Sequence, residues 1–232
     1  MEWTYDEIAG MIDHSLLAPT LAAEELEAGC RLARRYGCAT VCVMPYFVDR
    51  AAALLEGSPT RPTTTVGFPH GGHATATKLA EARQAIADGA EELDMVVNIS
   101  RVLSAQWEAV RADIRAVLDV AHGEGKKLKV IFENCYLEDE HKVRLCHIAG
   151  ELGADWVKTS TGYGSGGATL DDLRLMRRHA PPSVQVKAAG GVRSLDSLLE
   201  VKAVGVSRVG ASRTQSILDE ARRRLGLDPP AD

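Results

Sequence analysis

Two lysines stand at the ends of apolar runs, each just before a turn of small residues. Lys158 follows Trp156 and Val157, and Lys187 follows Val186. If these runs are neighbouring parallel strands, charge repulsion and loss of water lower the pKa of at least one amine. A neutral lysine is a nucleophile that forms a Schiff base with a carbonyl compound. The pattern therefore predicts a Schiff-base site, the alternative being two separate strand-end lysines that reach solvent or an acid.

Other charged residues lie in apolar runs and are candidates to pair with these amines. Asp94 is inside ELDMVV, and a buried carboxylate is costly unless it is paired. Facing the lysines, it would relay protons through a water molecule or form a structural ion pair. Asp13 in IDHS and Lys129 in KLKVIFE are further candidates; the alternatives are an exposed turn for Asp13 and an exposed position near the strand start for Lys129. Glu133 is expected to support an interior lysine or to act directly, and His14 is expected to be structural.

Two glycine-rich turns, AAGGVRS and VGAS, are candidates for a phosphate site. Main-chain N–H groups in such turns, continuing into helix N-termini, bind anions. The alternative is an ordinary tight turn that needs glycine for its backbone conformation. The predicted phosphate residues are Gly190, Gly191, Gly210 and Ser212, with Arg193 or Arg213 adding positive charge.

Short apolar runs that alternate with helical runs must position these residues. About eight such βα units fit into 232 residues, and alternation of this kind predicts a parallel sheet. We expect an α/β protein whose residues 1–232 form a single (β/α)8 TIM barrel with a short N-terminal helix. Ser104 and Ser194 are predicted N-caps of two of its helices. An open doubly wound sheet is the alternative, although neither GxGxxG nor GxxxxGK is present.

Composition and charge exclude several classes of protein. The net charge of −5 argues against a nucleic-acid or anionic-membrane partner, and the chain has no apolar stretch of membrane-spanning length. The N-terminal residues lack the basic segment of a secretory signal. Five cysteines without a CxxC pair are typical of a cytoplasmic protein with free thiols. His70 and His73 lack a third metal ligand nearby and are expected to have loop or helix-start roles.

Several motifs extend over nearly the whole chain and point to one family. They are MIDHSLLAPT, TVCVMPYFV, TVGFPHG, AIADGAEELDMVVN, LKVIFE, GADWVKTSTGYGSGGAT, VKAAGGVRS and RVGAS. The combination of VKTSTG with VKAAGGVR at this spacing is specific. On these motifs the sequence resembles the deoxyribose-phosphate aldolases, which are class I aldolases with a (β/α)8 barrel.

The resemblance implies reversible cleavage of 2-deoxy-D-ribose 5-phosphate to acetaldehyde and D-glyceraldehyde 3-phosphate, with no metal and no organic cofactor. It places the Schiff-base lysine at Lys158, the lysine that perturbs it at Lys187, and the proton-relay aspartate at Asp94. The substrate-binding residues that it implies are Asp13, Ser15, Cys42, Lys129, Gly190, Gly191, Val192, Arg193, Gly210 and Ser212. The expected partners are a small phosphorylated sugar and aldehydes, and the chain is expected to form a homodimer or higher homo-oligomer in the cytoplasm.

Four positions depart from the usual pattern of that family: Ala18, Met44, Asn134 and Tyr163. None of them is one of the three reactive residues, so the Schiff-base chemistry is retained in this interpretation. They leave open a class I aldolase that acts on a different phosphorylated sugar. A metal-dependent aldolase and a non-catalytic barrel that binds sugar phosphates are two further alternatives.

Overall fold

A closed ring of eight parallel strands surrounds the centre of the molecule in the computed structural model, which describes residues 3–230. Each strand pairs with the next one along the chain, and β8 pairs with β1. The strands are β1 Ile12–Leu16, β2 Thr40–Val43, β3 Arg61–Val66, β4 Glu92–Val96, β5 Lys127–Ile131, β6 Trp156–Lys158, β7 Gln185–Ala189 and β8 Arg208–Ala211. The closed ring confirms the predicted (β/α)8 barrel and excludes the open sheet. The ends of the predicted 1–232 domain, residues 1–2 and 231–232, lie outside the described residues.

Helices surround the ring and connect its strands. They are α1 Tyr5–Ala9, α2 Ala23–Tyr36, α3 Val48–Leu55, α4 Thr75–Ala87, α5 Ile99–Leu103, α6 Trp107–Gly123, α7 Asp139–Leu152, α8 Leu170–His179, α9 Leu195–Ala203 and α10 Thr214–Leu225. Helix α1 is the predicted short N-terminal helix, and Thr4 caps it by accepting a hydrogen bond from the main-chain N–H of Glu7 at 3.2 Å. Over residues 3–230, no helix combines the length and the apolar character that crossing a membrane requires.

One predicted helix cap is wrong and the other is confirmed. Ser104 was predicted to cap the start of the long helix α6, but it lies at the C-terminal end of α5. The next residue, Ala105, has φ of 52°, a left-handed conformation that interrupts the helix, and α6 begins only after Gln106. Ser194 caps α9 as predicted, since its hydroxyl accepts a hydrogen bond from the main-chain N–H of Ser197 at 3.2 Å.

The two faces of the strands differ in polarity. Apolar residues such as Val41, Leu93 and Val130 point outward and pack in the layer between the ring and the helices. The inward face carries many polar and charged side chains, including the fully buried Asp94 and Lys129. Since buried charges are costly unless they are paired, this interior is the place to look for chemistry.

Candidate active site

Charged side chains fill the interior of the barrel. Lys158 and Lys187 are paired in the register of β6 and β7, as are Asp94 and Lys129 in β4 and β5. Residues paired in this way point to the same face of a sheet. The structure therefore brings together the two lysines and the aspartate that the sequence singled out.

Asp94 joins the two lysine amines through one of its oxygens. Its Oδ2 lies 2.7 Å from Lys158 Nζ and 2.7 Å from Lys187 Nζ. The two nitrogens are thus within two hydrogen-bond lengths of each other. All three side chains are almost completely buried, so these contacts form where little solvent screens them.

A second tier of charges lies beside this trio. Lys129 Nζ is 2.8 Å from Asp94 Oδ1, 2.5 Å from Glu92 Oε2 and 3.7 Å from Asp13 Oδ2. Arg208 Nη1 contacts Asp13 Oδ1 at 2.6 Å and Glu92 Oε2 at 3.2 Å. The sequence had singled out neither Glu92 nor Arg208. Asp13 and Lys129, predicted to bind substrate, are fully buried here and paired with charges of the protein.

The pKa values of the trio follow from burial and from these pairs. Burial lowers the pKa of Lys158; Asp94 opposes this shift, and the neighbouring Lys187 ammonium reinforces it. Burial acts on Lys187 in the same sense, but Asp13 and Asp94 outweigh it and raise the pKa of that amine. Burial disfavours the Asp94 carboxylate, yet the three lysine amines around it hold its pKa well below the usual value.

The balance of interior charge identifies the amine that most easily loses its proton. In the described part of the chain, the network holds three carboxylates and four basic side chains: Asp13, Glu92, Asp94, Lys129, Lys158, Lys187 and Arg208. One positive charge is in excess when all seven groups are ionised. Lys158 is paired with Asp94 alone, whereas each of the other three basic groups contacts at least two carboxylates. Deprotonation of Lys158 therefore breaks the fewest ion pairs and leaves the interior neutral.

Ser15 and Cys42 lie next to each other above Asp13 and are paired in the register of β1 and β2. The Ser15 hydroxyl donates a weak hydrogen bond of 3.4 Å to the Asp13 carbonyl. Cys42 is fully buried, and burial raises the pKa of its thiol to about 11. Because it stays a thiol at neutral pH, Cys42 offers the site a small uncharged surface.

The first glycine turn follows β7. Gly190 and Gly191 have φ of 75° and 103°, which glycine adopts readily. A Cβ on Gly190 would lie 2.9 Å from Gly167 Cα, so the two loops approach too closely for a larger residue. Val192 is buried and Arg193 is exposed beside the start of α9.

The second predicted glycine turn begins inside β8, because Gly210 and Ala211 are strand residues and only Ser212 lies beyond the strand. A Cβ on Gly210 would be 3.7 Å from Lys187 Cε and 3.7 Å from Ser15 Oγ. Ser212 follows two residues later and is exposed. Both turns are at the carboxyl ends of their strands, the face where barrel enzymes bind phosphate.

Glu133 does not have the predicted position. It contacts none of the interior lysines in the described structure; instead it accepts hydrogen bonds from the main-chain N–H of Thr161 at 3.2 Å and from the Thr161 hydroxyl. Its φ of 59° turns the chain out of β5, which directs the carboxylate to the loop after β6. Among residues 3–230, no three His, Cys, Asp or Glu side chains are grouped as metal ligands, and His70 and His73 are exposed.

Two of the departing positions line a small pocket at the mouth of the barrel. Met44 and Tyr163 border a cavity of about 220 Å³ together with Leu17, Thr65 and Phe68. The Tyr163 hydroxyl donates a hydrogen bond to the Leu17 carbonyl, and its ring packs edge-on against Phe68 at 5.5 Å. The loops after β1, β3 and β6 thus meet at Tyr163.

Known proteins are similar to this chain in sequence and in architecture. The sequence model of the DeoC/LacD family aldolases matches residues 8–213. The deoxyribose-phosphate aldolase of Rhodopirellula baltica is 60% identical over 226 residues, which are 97% of this chain and 94% of that protein. The solved structure of the aldolase QR15 superposes with a TM-score of 0.90 at 34% identity, covering 96% of this chain and 99% of the other. The tetrameric deoxyribose phosphate aldolase of Aeropyrum pernix gives a TM-score of 0.87 at 29% identity over 94% of this chain and 92% of its own.

Proposed function

The chain belongs to the DeoC/LacD family of aldolases, and we propose that it is a class I aldolase that reversibly cleaves 2-deoxy-D-ribose 5-phosphate. The products are acetaldehyde and D-glyceraldehyde 3-phosphate. Similarity to the Rhodopirellula baltica deoxyribose-phosphate aldolase over nearly the whole chain supports this substrate. The observation that carries the proposal is the contact of Lys158 and Lys187 with one oxygen of Asp94, in an interior with one positive charge in excess.

The reaction begins with neutral Lys158. Its Nζ attacks C1 of the open-chain sugar, a bond forms between nitrogen and carbon, and one proton moves from that nitrogen to the carbonyl oxygen to give a neutral carbinolamine. Uptake of one proton and loss of water then give the iminium ion. Lys187, whose raised pKa keeps it an ammonium, is the proton donor in this proposal, and Asp94 Oδ2 links it to Lys158.

The iminium ion then accepts electrons from the bond that breaks. Acetaldehyde has two carbons, so this bond is C2–C3. The C3 hydroxyl loses its proton to a water molecule next to Asp94 and Lys187, a carbonyl forms at C3, and glyceraldehyde 3-phosphate leaves. The remaining enamine gains a proton at C2, water adds to C1, and acetaldehyde is released as Lys158 becomes neutral again. One proton is taken up when each iminium forms and one is released when each is consumed, so the cycle balances.

The low pKa of Asp94 defines its part in this cycle. A carboxylate that remains ionised among three amines is a weak base, so Asp94 orients Lys158, Lys187 and the water molecule that carries the proton, and stays ionised itself. Asp13 and Lys129 hold Lys187 and Asp94 in place. Their effect on the substrate in this proposal is indirect.

The two glycine turns bind the phosphate in this proposal. Main-chain N–H groups of 190–193 and 210–212 face the anion, and Arg193 adds a positive charge at the rim. Gly210 lies beside both Lys187 and Ser15. A phosphate bound at this position leaves C1, the other end of the sugar, to extend toward the amines in this proposal.

Borohydride reduction tests the assignment of Lys158. With deoxyribose 5-phosphate or acetaldehyde present, reduction should add the mass of the trapped aldehyde to the peptide that contains Lys158. Lys158→Arg should abolish both labelling and turnover, whereas Lys127→Arg, at an exposed lysine of β5, should leave both unchanged. Label on another lysine, or near-normal turnover by Lys158→Ala, would contradict the proposal.

A different phosphorylated sugar is the second candidate, because Met44 and Tyr163 alter the mouth of the barrel. A panel of sugar phosphates separates the two candidates, since deoxyribose 5-phosphate should be cleaved fastest. Turnover should also persist in EDTA, because the proposed chemistry is carried by lysine; loss of turnover would favour the metal-dependent alternative.

We also infer that the chain forms a homo-oligomer in the cytoplasm. The tetramer of the related Aeropyrum pernix enzyme supports assembly. All five cysteines are free, as is usual in a reducing compartment.

A further inference from the structure

His14 is a polar residue at a position where its strand is otherwise apolar. Side chains alternate along β1, so Asp13 and Ser15 point into the barrel while His14 points outward between Ile12 and Leu16. His14 is 5% exposed, and Ile12 and Leu16 are also buried. The outward face of a barrel strand packs against helices, and an imidazole placed there needs a polar partner.

That partner is the turn that joins β8 to α10. His14 is paired with Ala211 in the register of β1 and β8. Its Nδ1 lies 2.8 Å from Thr214 Oγ1, and that hydroxyl lies 3.4 Å from the Ala211 carbonyl oxygen. Both contacts form when Nδ1–H donates to Thr214 and Thr214 donates to Ala211. Thr214 is fully buried, so solvent does not compete for these bonds.

Protonation does not disturb this arrangement near neutral pH. Burial lowers the pKa of His14 to about 4, although a hydrogen bond with the Ala211 main chain opposes the shift. The imidazole therefore stays neutral and keeps one donor nitrogen and one acceptor nitrogen.

We propose that His14 is a positioning residue for phosphate binding: through Thr214 it fixes the turn 211–214, and so the orientation of Ser212. This inference rests on the proposed function, in which the turn 210–212 contacts the substrate phosphate. Ser212 lies between the two residues that the His14 network holds, Ala211 and Thr214. Hydrogen bonds to a charged group depend strongly on geometry, so a turn that shifts loses phosphate affinity first. Lys158 and Lys187 point into the barrel, away from His14, and are not expected to move.

Two matched pairs of variants test this role. His14→Leu and Thr214→Val remove the side-chain hydrogen bond, whereas His14→Asn keeps a donor close to the position of Nδ1 and Thr214→Ser keeps the hydroxyl. Each variant is assayed with 2-deoxyribose 5-phosphate and with 2-deoxyribose, which lacks the phosphate. We expect His14→Leu and Thr214→Val each to raise KM for the phosphorylated sugar about tenfold, the usual effect of one lost hydrogen bond. Their kcat, and their kcat/KM for 2-deoxyribose, should change less than twofold, and the Asn and Ser variants should resemble the wild type.

A second measurement needs no turnover. Inorganic phosphate should raise the Tm of the wild-type protein, and this rise in Tm should be smaller for His14→Leu and Thr214→Val. If the wild type does not cleave deoxyribose 5-phosphate, the proposed function fails while this comparison still decides the role of His14. Equal losses on both sugars with unchanged phosphate protection would show a merely structural role. A wild-type protein that phosphate does not stabilise would also overturn the inference.

Discussion

Replacing Lys187 by methionine removes one positive charge next to Lys158 and should move the pH dependence of the enzyme. In the proposed mechanism Lys158 reacts only as the neutral amine, so activity should fall as pH decreases through its pKa. The Lys187 ammonium is one reason why that pKa is lowered. Without the Lys187 ammonium, burial still lowers the pKa of Lys158. The Asp94 carboxylate, which raises that pKa, is then no longer opposed by a second charged amine.

The size of the shift follows from the geometry. The two amines share Asp94 Oδ2 at 2.7 Å each, so their nitrogens are no more than about 5 Å apart. At an effective dielectric constant of about 20, two charges at this distance interact by about 3 kcal/mol, or about two pKa units. The interior of Lys187→Met also holds equal numbers of carboxylates and cations when Lys158 is protonated. Both arguments predict that the pKa of Lys158 rises by about two units.

The assay is kcat/KM for deoxyribose 5-phosphate between pH 5 and 10. The acid limb of the Lys187→Met profile should lie about two pH units above that of the wild type, and activity should recover as pH rises. Asp13 keeps its pair with Arg208, so the variant should fold, which circular dichroism checks. Lys187→Arg retains the charge and should keep the wild-type limb. An activity loss of the same size at every pH would refute the electrostatic argument and leave Lys187 as a proton donor only.

Two further predictions concern stability and are read from the free energy of unfolding in urea. Lys78→Met removes the ion-pair partner that lies 2.6 Å from the buried Asp113 and should lower the free energy of unfolding by about 3–5 kcal/mol. Lys126→Met breaks a partly exposed ion pair and should lower it by less than about 1 kcal/mol. Equal losses in the two variants would contradict this reasoning. Gly71→Ala would put a Cβ 1.8 Å from a main-chain carbonyl oxygen, at a residue with φ of 68°, and should lower the free energy of unfolding by more than about 3 kcal/mol. Gly57 has a similar φ of 70° but open space around it, so Gly57→Ala should lower the free energy of unfolding by about 1–2 kcal/mol. Similar losses in the two alanine variants would show that backbone conformation, and not the close contact, decides the effect.

The fold was predictable because parallel barrel strands are buried on both faces. They therefore occur in the sequence as short apolar runs between amphipathic helices, and eight such units were visible. The break between α5 and α6 was not visible. It depends on Ala105 in a left-handed conformation, and alanine gives no sequence signal for such a break. Ser104 was consequently assigned to the start of a helix when it ends one.

The contact between Asp94 and the two lysines was predictable for a related reason. A charge within or at the end of an apolar run stands out, as Asp94, Lys158 and Lys187 do. Glu92 and Arg208 begin their runs, where an exposed side chain is the ordinary expectation. Arg208 reaches Asp13 only because β8 closes onto β1, a contact between residues 195 positions apart. No local pattern shows that contact. The second tier of charges, and the excess positive charge of the interior as a whole, can therefore be read only from the structure.

Strand β1 links the two ends of the proposed substrate site. Asp13 and Ser15 face the interior amines, and His14 faces the turn after β8, because successive residues of a strand point to opposite sides. A slip of one residue would expose Asp13 to the apolar layer and turn His14 inward, so burial fixes this register strongly. In the proposed site, the pairing of His14 with Ala211 then sets the distance between the Lys158 amine and the turn proposed to bind phosphate. A sugar phosphate that is one carbon longer or shorter between C1 and the phosphate can satisfy only one end. Selection by substrate length is therefore expected to be a property of the barrel register, and changes in the loops at the mouth should alter it little.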